Sequence, residues 1–227
     1  TGYTFDESTG TLTIYKKEDA EDGYAEVEGY GKSPFYGTTK IHHVVIGDGV
    51  KQIGAFVFQN TTGIEDIKIP ASCTSIHYRA FEESFLCGDG FEVEEDNTEF
   101  LSKDGCLYNK EGTYLYHFVQ SDSMTEFTIP ENVRYVLSMC FTSVKLDKLT
   151  IQGDNLEIAD YAIYGGSIKE AEIKEGVRYI GDYSSFDWDG TTLSLPSSLE
   201  YIGNQTIFLE SEKLTEINVA EEIGRAH

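Results

Sequence analysis

Basic residues are scarce in this chain: 17 Lys and Arg stand against 40 Asp and Glu, a formal net charge of −23 with a pI near 4.4. Nucleic-acid recognition needs a positive face that displaces counterions from phosphates. Docking on anionic lipid needs basic clusters as well. The composition argues against both. Long hydrophobic runs are missing too, and no stretch approaches the ~20 apolar residues that cross a bilayer. Only 4 cysteines occur, at 73, 87, 106 and 140. None forms a C-x-x-C pair, which speaks against a zinc ribbon or a thioredoxin-like redox site. The chain opens at Thr1 without Met or a leader-like segment, so the expectation is a removed leader or a numbering that starts inside a longer gene.

Catalytic signatures are equally sparse. The sequence holds no H-E-x-x-H, Walker-type loop, G-x-G-x-x-G turn or G-x-S-x-G elbow. Of the 5 histidines, His42 and His43 open a strand-like stretch. No Cys or carboxylate repeats their spacing as a metal site requires, so they are read as surface residues. Glu170 and Glu172 have the look of a glycosidase pair, but their one-residue separation on a predicted strand suits a solvated face. The run DWDG at 187–190 starts like a calcium loop, yet the residue eleven positions after Asp187 is Ser198 rather than Glu. No cofactor is expected.

What the chain does have is aromatic residues and repetition. Its 15 Tyr and 13 Phe are too many for a disordered acidic chain. A length of 227 residues allows one domain, or at most two, with a sizeable core. An L-x-x-L-x-L phrase recurs as Ile41/Val44/Ile46, Ile64/Ile67/Ile69, Met124/Phe127/Ile129, Leu146/Leu149/Ile151, Ile168/Ala171/Ile173 and Leu214/Ile217/Val219, with Leu193/Leu195 as a partial copy. The phrases end at 46, 69, 129, 151, 173, 195 and 219, so the steps are 23, 60, 22, 22, 22 and 24 residues. A period of about 22–24 residues is that of a leucine-rich-repeat solenoid.

Each phrase has a second half at a fixed offset: Val50/Ile53, Cys73/Ile76, Val133/Val136, Val177/Ile180 and Leu199/Ile202. An apolar plug follows, as at Phe58, Ala80-Phe81, Cys140-Phe141 and Ala162-Ile163. Alternation along a strand turns two side chains inward and the one between them outward. No repeat buries its inward face alone, so neighbours stack into a shared core. The expected fold is an α/β repeat, a solenoid of short strands with irregular or short helical returns. Cys73 and Cys140 replace apolar residues of the phrase, which predicts buried thiols without disulfides.

The stretches IKIPASCTSIHYRAFEES, FTIPENVRYVLSMCF and LSLPSSLEYIGNQTIF resemble the BspA-type leucine-rich repeats of bacterial surface proteins. The resemblance covers about residues 38–220. The segment at 96–118, DNTEFLSKDGCLYNKEGTYLYHF, resembles a β-hairpin insertion common in that family and accounts for the 60-residue step. Two repeats depart from the pattern: GDNLEIADYAI lacks the Pro and Val, and GDYSSF places its Phe one residue late. Residues 1–37 do not follow the period. YTFDESTGTLTIY reads as a hairpin serving as an N-terminal β-hairpin cap, and 38–227 form the solenoid.

Outward positions on the strands are His43/Val45, Asp66/Lys68, Glu126/Thr128, Lys148/Thr150, Glu170/Glu172, Thr192/Ser194 and Glu216/Asn218. Among them His43, Asp66, Lys68, Glu126, Lys148, Glu170, Glu172 and Glu216 are the candidate partner contacts. This ladder is polar, acidic in bias and free of aromatics, which suits a basic protein patch better than a sugar ring. Tyr108, Tyr114 and Tyr116 of the insertion are the fallback surface, and Glu82, Glu83 and Asp182 are read as solvent-facing bystanders.

The resemblance implies an exported, non-enzymatic adhesion module. It would bind a protein or glycan of a host or neighbouring cell surface or matrix, from an extracellular or cell-surface location. The alternative is a structural spacer within a larger surface protein. A glycoside-acting enzyme ranks third, because regular stacking leaves no deep pocket.

Overall fold

The architecture was taken from a computed structural model, which describes residues 1–188, 191–206 and 214–220. Among the described residues the elements are strands joined by turns and bends, with no helix. The expected α/β class with helical returns is therefore corrected to an all-β repeat. The reason is local. A left-handed residue interrupts the return after the second-half strand, at Phe56, Met139, Tyr161 and Tyr183, with φ between 56° and 65°. A helix needs consecutive right-handed residues and cannot pass such a position. Each of these amides instead donates to a carbonyl of the following repeat: Phe56 to Arg79 at 2.9 Å, Met139 to Tyr161 at 2.9 Å, Tyr161 to Asp182 at 2.8 Å and Tyr183 to Asn204 at 2.9 Å. The cost of the backbone geometry is offset by an inter-repeat hydrogen bond at the same corner each time.

The chain forms two compact units, Thr1–Glu111 with Tyr116–Asp122 and Gly112–Leu115 with Ser123–His227. In the first unit, Gly2–Asp6 pairs antiparallel with Thr11–Tyr15. Parallel neighbours follow at His43–Ile46, Thr62–Ile69 and Phe85–Val93. The N-terminal segment is thus a hairpin at the edge of this sheet. A second, narrower sheet joins Tyr24–Ala25, Gln52–Ile53 and Ser75–Ile76. Between them lie the inward residues of the repeat phrase, including Val44, Ile46, Val50, Ile53, Ile67, Ile69 and Cys73, all buried. Each such side chain contributes roughly 1.5–3 kcal/mol by leaving water. The apolar plugs stack on one another, with Phe58 and Phe81 centred 5.2 Å apart at 4° and Phe35 and Phe58 6.1 Å apart at 18°.

Phe100–Lys103 and Cys106–Asn109 pair antiparallel around Asp104 and Gly105, both at positive φ (52° and 74°), as a two-residue hairpin turn requires. Asn97 ties the start of this hairpin to the solenoid. Its buried amide donates to the carbonyls of Pro70 and Cys73 at 2.8 and 2.9 Å, while its oxygen accepts from the amides of Glu99 and Phe100 at 2.9 and 2.8 Å.

In the second unit, Glu126–Thr128, Lys145–Ile151 and Ile163–Ile173 run parallel. Ser185–Trp188 also pairs with Ile163–Ile173, and Thr192–Leu195 pairs with Glu216–Val219. The narrow side stacks Tyr114–Leu115 on Tyr135–Val136, then Leu156–Ile158, Val177–Ile180 and Tyr201–Ile202. The turn between the two sides recurs in most repeats, the exception being Leu156, whose amide donates to Gly176. Cys73, Val133, Val177 and Leu199 donate their amides to the carbonyls three residues back, at Pro70, Pro130, Lys174 and Pro196. Proline forgoes one inter-repeat bond there, since Gly47 and Lys174, which hold the same position in other repeats, donate their amides to Ile14 and Ile151. Its fixed φ nevertheless suits the turn that leaves the strand. The repeat without the Pro and Val carries a register shift between Leu156 and Glu157. Ile217 and Val219, expected inward, are 50 % and 52 % exposed, because among the described residues no further turn stacks on them.

Candidate binding faces

Parallel pairing in register converts residues one repeat apart into lateral neighbours, about 4.8 Å between strands. In the first unit this puts Thr11, His43, Asp66 and Gly90 in one row, and Thr13, Val45, Lys68 and Glu92 in the next. His43 Nδ1 lies 2.5 Å from Asp66 Oδ2, and Lys68 Nζ lies 3.3 Å from Glu92 Oε2. In the second unit Glu126, Lys148 and Glu170 share a row, and Thr128, Thr150 and Glu172 the next. Lys148 Nζ reaches Glu170 Oε1 at 2.9 Å and Glu172 Oε2 at 3.2 Å. Those two hydrogen bonds, Glu170 first, raise the lysine's pKa above its ordinary value. Glu216 stands apart, opposite Thr192.

The eight expected contact residues therefore form two groups and one outlier. Their charges are largely compensated across strands, so the acidic bias of the ladder is weaker than the sequence suggests. Lys148 bridges Glu170 and Glu172, which leaves them poorly suited to act as an acid and base pair. Thr150 is buried despite its outward parity. Glu82, expected at the surface, is also buried and is held by the Arg79 guanidinium. Tyr108 of the fallback surface is buried as well. Of the calcium-like run, Asp189 and Gly190 lie outside the described residues. Among the described residues no group of three or more metal-ligating side chains comes together.

A second face went unread in the sequence. On the narrow side of the second unit, register aligns Tyr114, Tyr135, Glu157, Tyr179 and Tyr201 in one row. All four tyrosines are exposed, between 36 % and 39 %. Tyr114 and Tyr135 stack with centroids 4.7 Å apart at 19°, and Tyr179 and Tyr201 at 4.5 Å and 11°. Glu157, half-buried, interrupts the row. Nearby, Tyr161 and Tyr183 stack at 4.8 Å and 7°. The signal was present as R-Y-V, R-Y-I and E-Y-I at 134–136, 178–180 and 200–202, one position before the aliphatic of each second half. Only the apolar members of those triplets bear on the core, so a core-directed reading passes over the tyrosines.

The model of the BspA type leucine rich repeat region matches residues 25–93 and 113–226 in 6 copies. No curated protein matches the chain. Among solved structures, the pneumococcal vaccine antigen PcpA superposes with a TM-score of 0.69 at 20 % identity, over 84 % of this chain and 48 % of that one. This chain thus spans about half the length of that structure. A leucine-rich repeat protein from Eubacterium ventriosum gives 0.44 at 19 % identity, covering 92 % and 80 % of the two chains. A leucine rich cell surface protein from Faecalibacterium prausnitzii gives 0.46 at 17 %, covering 80 % and 60 %.

Proposed function

The chain belongs to the BspA-type leucine-rich-repeat family, and from that premise we propose that it is an exported, non-enzymatic recognition module acting at a cell surface. Its partner is a protein of a host or neighbouring cell, or of its matrix. The observation that carries this reading is the in-register row of solvent-facing side chains in the second unit, Glu126, Lys148 and Glu170, with Thr128 and Glu172 exposed in the row beside it. A row repeated on stacked strands offers a firm surface of fixed spacing, and extended surfaces of this kind are what solenoids use for binding. The likeness in fold to a pneumococcal antigen supports an extracellular setting.

The test is binding of the isolated chain to immobilised matrix and cell-surface proteins, at two salt concentrations. Reversing Glu126, Glu170 and Glu172 to Lys should slow association several-fold and flatten its salt dependence, with a smaller effect on dissociation. Glu83 and Asp182, expected at the surface, are half-buried and accept hydrogen bonds from the hydroxyls of Tyr30 and Tyr201. The control is therefore reversal of the exposed Glu18 and Asp19, which should leave binding unchanged. A partner indifferent to salt and to the triple reversal would remove the strand face from the proposal. If no partner is retained under any condition, the spacer reading replaces it.

A further inference from the structure

Tyr135 and Tyr179 are two strands apart in one row, with Glu157 on the strand between them. Each ring has one face covered by a stacked neighbour, Tyr114 in one case and Tyr201 in the other. Their remaining faces point toward each other across the Glu157 strand. Two strand spacings separate the rings by about 9.5 Å. This leaves a slot with aromatic walls and a carboxylate floor. The Glu157 carboxylate makes no hydrogen bond or ion pair with a described residue, while the neighbouring cations are engaged elsewhere. Arg178 forks onto Glu200, Nε to Oε1 and Nη2 to Oε2 both at 2.8 Å, and it senses Glu157 and Tyr135 only as electrostatic neighbours. Arg134 leans on Asp154, its Nη1 3.4 Å from the carbonyl oxygen and 3.9 Å from Oδ2.

We propose that this slot receives a cationic side chain, arginine or lysine, of a basic partner protein. A cation midway between the rings would lie about 5 Å from each centroid, within the ~6 Å over which a ring quadrupole attracts it. The Glu157 carboxylate would complete it with a charge-assisted hydrogen bond. The net charge of −23 draws cationic surfaces toward the molecule and adds to the encounter rate. This rests on the protein-recognition reading above but locates the anchoring contact on the narrow side rather than on the strand face.

The experiment uses a fluorescein-labelled peptide of alternating arginine and glycine. Its citrulline counterpart, of matched shape and no charge, is the control, and both are titrated by anisotropy against the full chain. The arginine peptide should bind and the citrulline peptide should not. Glu157→Gln and the double variant Tyr135→Leu/Tyr179→Leu should each weaken binding roughly tenfold. Tyr135→Phe/Tyr179→Phe, which keeps the rings, should bind within about twofold of the parent, so any loss in the leucine variant is traced to the ring walls. Near-UV circular dichroism verifies that each variant is folded. Unchanged affinity in the Glu157 and leucine variants overturns the slot. If affinity then falls in Glu126→Gln/Glu170→Gln/Glu172→Gln instead, the strand-face reading stands alone. Binding of a neutral oligosaccharide that needs the rings and ignores Glu157→Gln would also overturn the proposal, making the row a sugar platform.

Discussion

Lys148 and Glu170 are 22 residues apart in the chain and 2.9 Å apart in space, Nζ to Oε1. Their strands pair in register, so one repeat period of sequence becomes a single strand spacing. The lysine holds Glu172 by the same logic at 3.2 Å. A charge pattern that looks acidic along the chain is partly neutralised across it. The same geometry determines what substitutions should do.

Parity along one strand is tested at adjacent positions. Ile173 is buried, whereas Glu172 is exposed. Ile173→Ala should cost roughly 2–4 kcal/mol through lost burial and an unfilled cavity. Glu172→Ala should cost about 0.5 kcal/mol or less, since its contacts to Lys148 and Lys174 are solvent-screened. Urea unfolding of both variants provides the comparison, and equal losses would contradict the strand register.

Gly176 is at φ +96°, where a Cβ would run into the carbonyl oxygen of Gly153 in the preceding repeat. Gly165 has φ +66° and open space around it. Gly176→Ala should therefore destabilise by more than the ~1–2 kcal/mol that left-handed geometry alone imposes, and Gly165→Ala by about that amount. Thermal melts of the two variants, read side by side, separate steric collision from backbone preference.

The buried amide of Asn97 satisfies four backbone groups. Asn97→Ala should cost about 3 kcal/mol, because those groups lose their partner where water has little access. Proteolysis should then cut within 96–118 before the rest of the chain. Equal cutting rates in parent and variant would show that the hairpin is held by other contacts.

None of the four cysteines is in a disulfide. Burial pushes the thiols of Cys73 and Cys106 up to about 11 and about 12, and desolvation raises Cys87 as well. Only Cys87 is partly exposed, so it should be the first to react with a thiol reagent near pH 8. All four should react once the chain is unfolded. A thiol with a raised pKa favours the folded state while it stays protonated. The unfolded thiols ionise from about pH 9, so stability should hold below that value and fall as pH rises toward 11–12. Denaturant midpoints measured from pH 7 to 11 would reveal the decline, and a flat profile would contradict the burial of Cys73 and Cys106.

The repeat itself was legible without coordinates. Side-chain parity is a local property of a strand, so the phrase ending in Ala171 and Ile173 identifies the core and leaves Glu170 and Glu172 to solvent. The same reasoning put Val133, Val177 and Cys73 inside. The nature of the returns was not legible. Nothing in the residue types marks Met139 or Tyr161 as left-handed, because that geometry is sustained by a hydrogen bond to the following repeat. Lateral neighbours were likewise decided by tertiary structure. The closure of each turn and the register of stacking place Lys148 between two glutamates, bury Glu82 against Arg79, and set Tyr135 and Tyr179 on either side of Glu157. Alternation along a strand fixes which way a side chain points; only the stacking of strands fixes what it points beside.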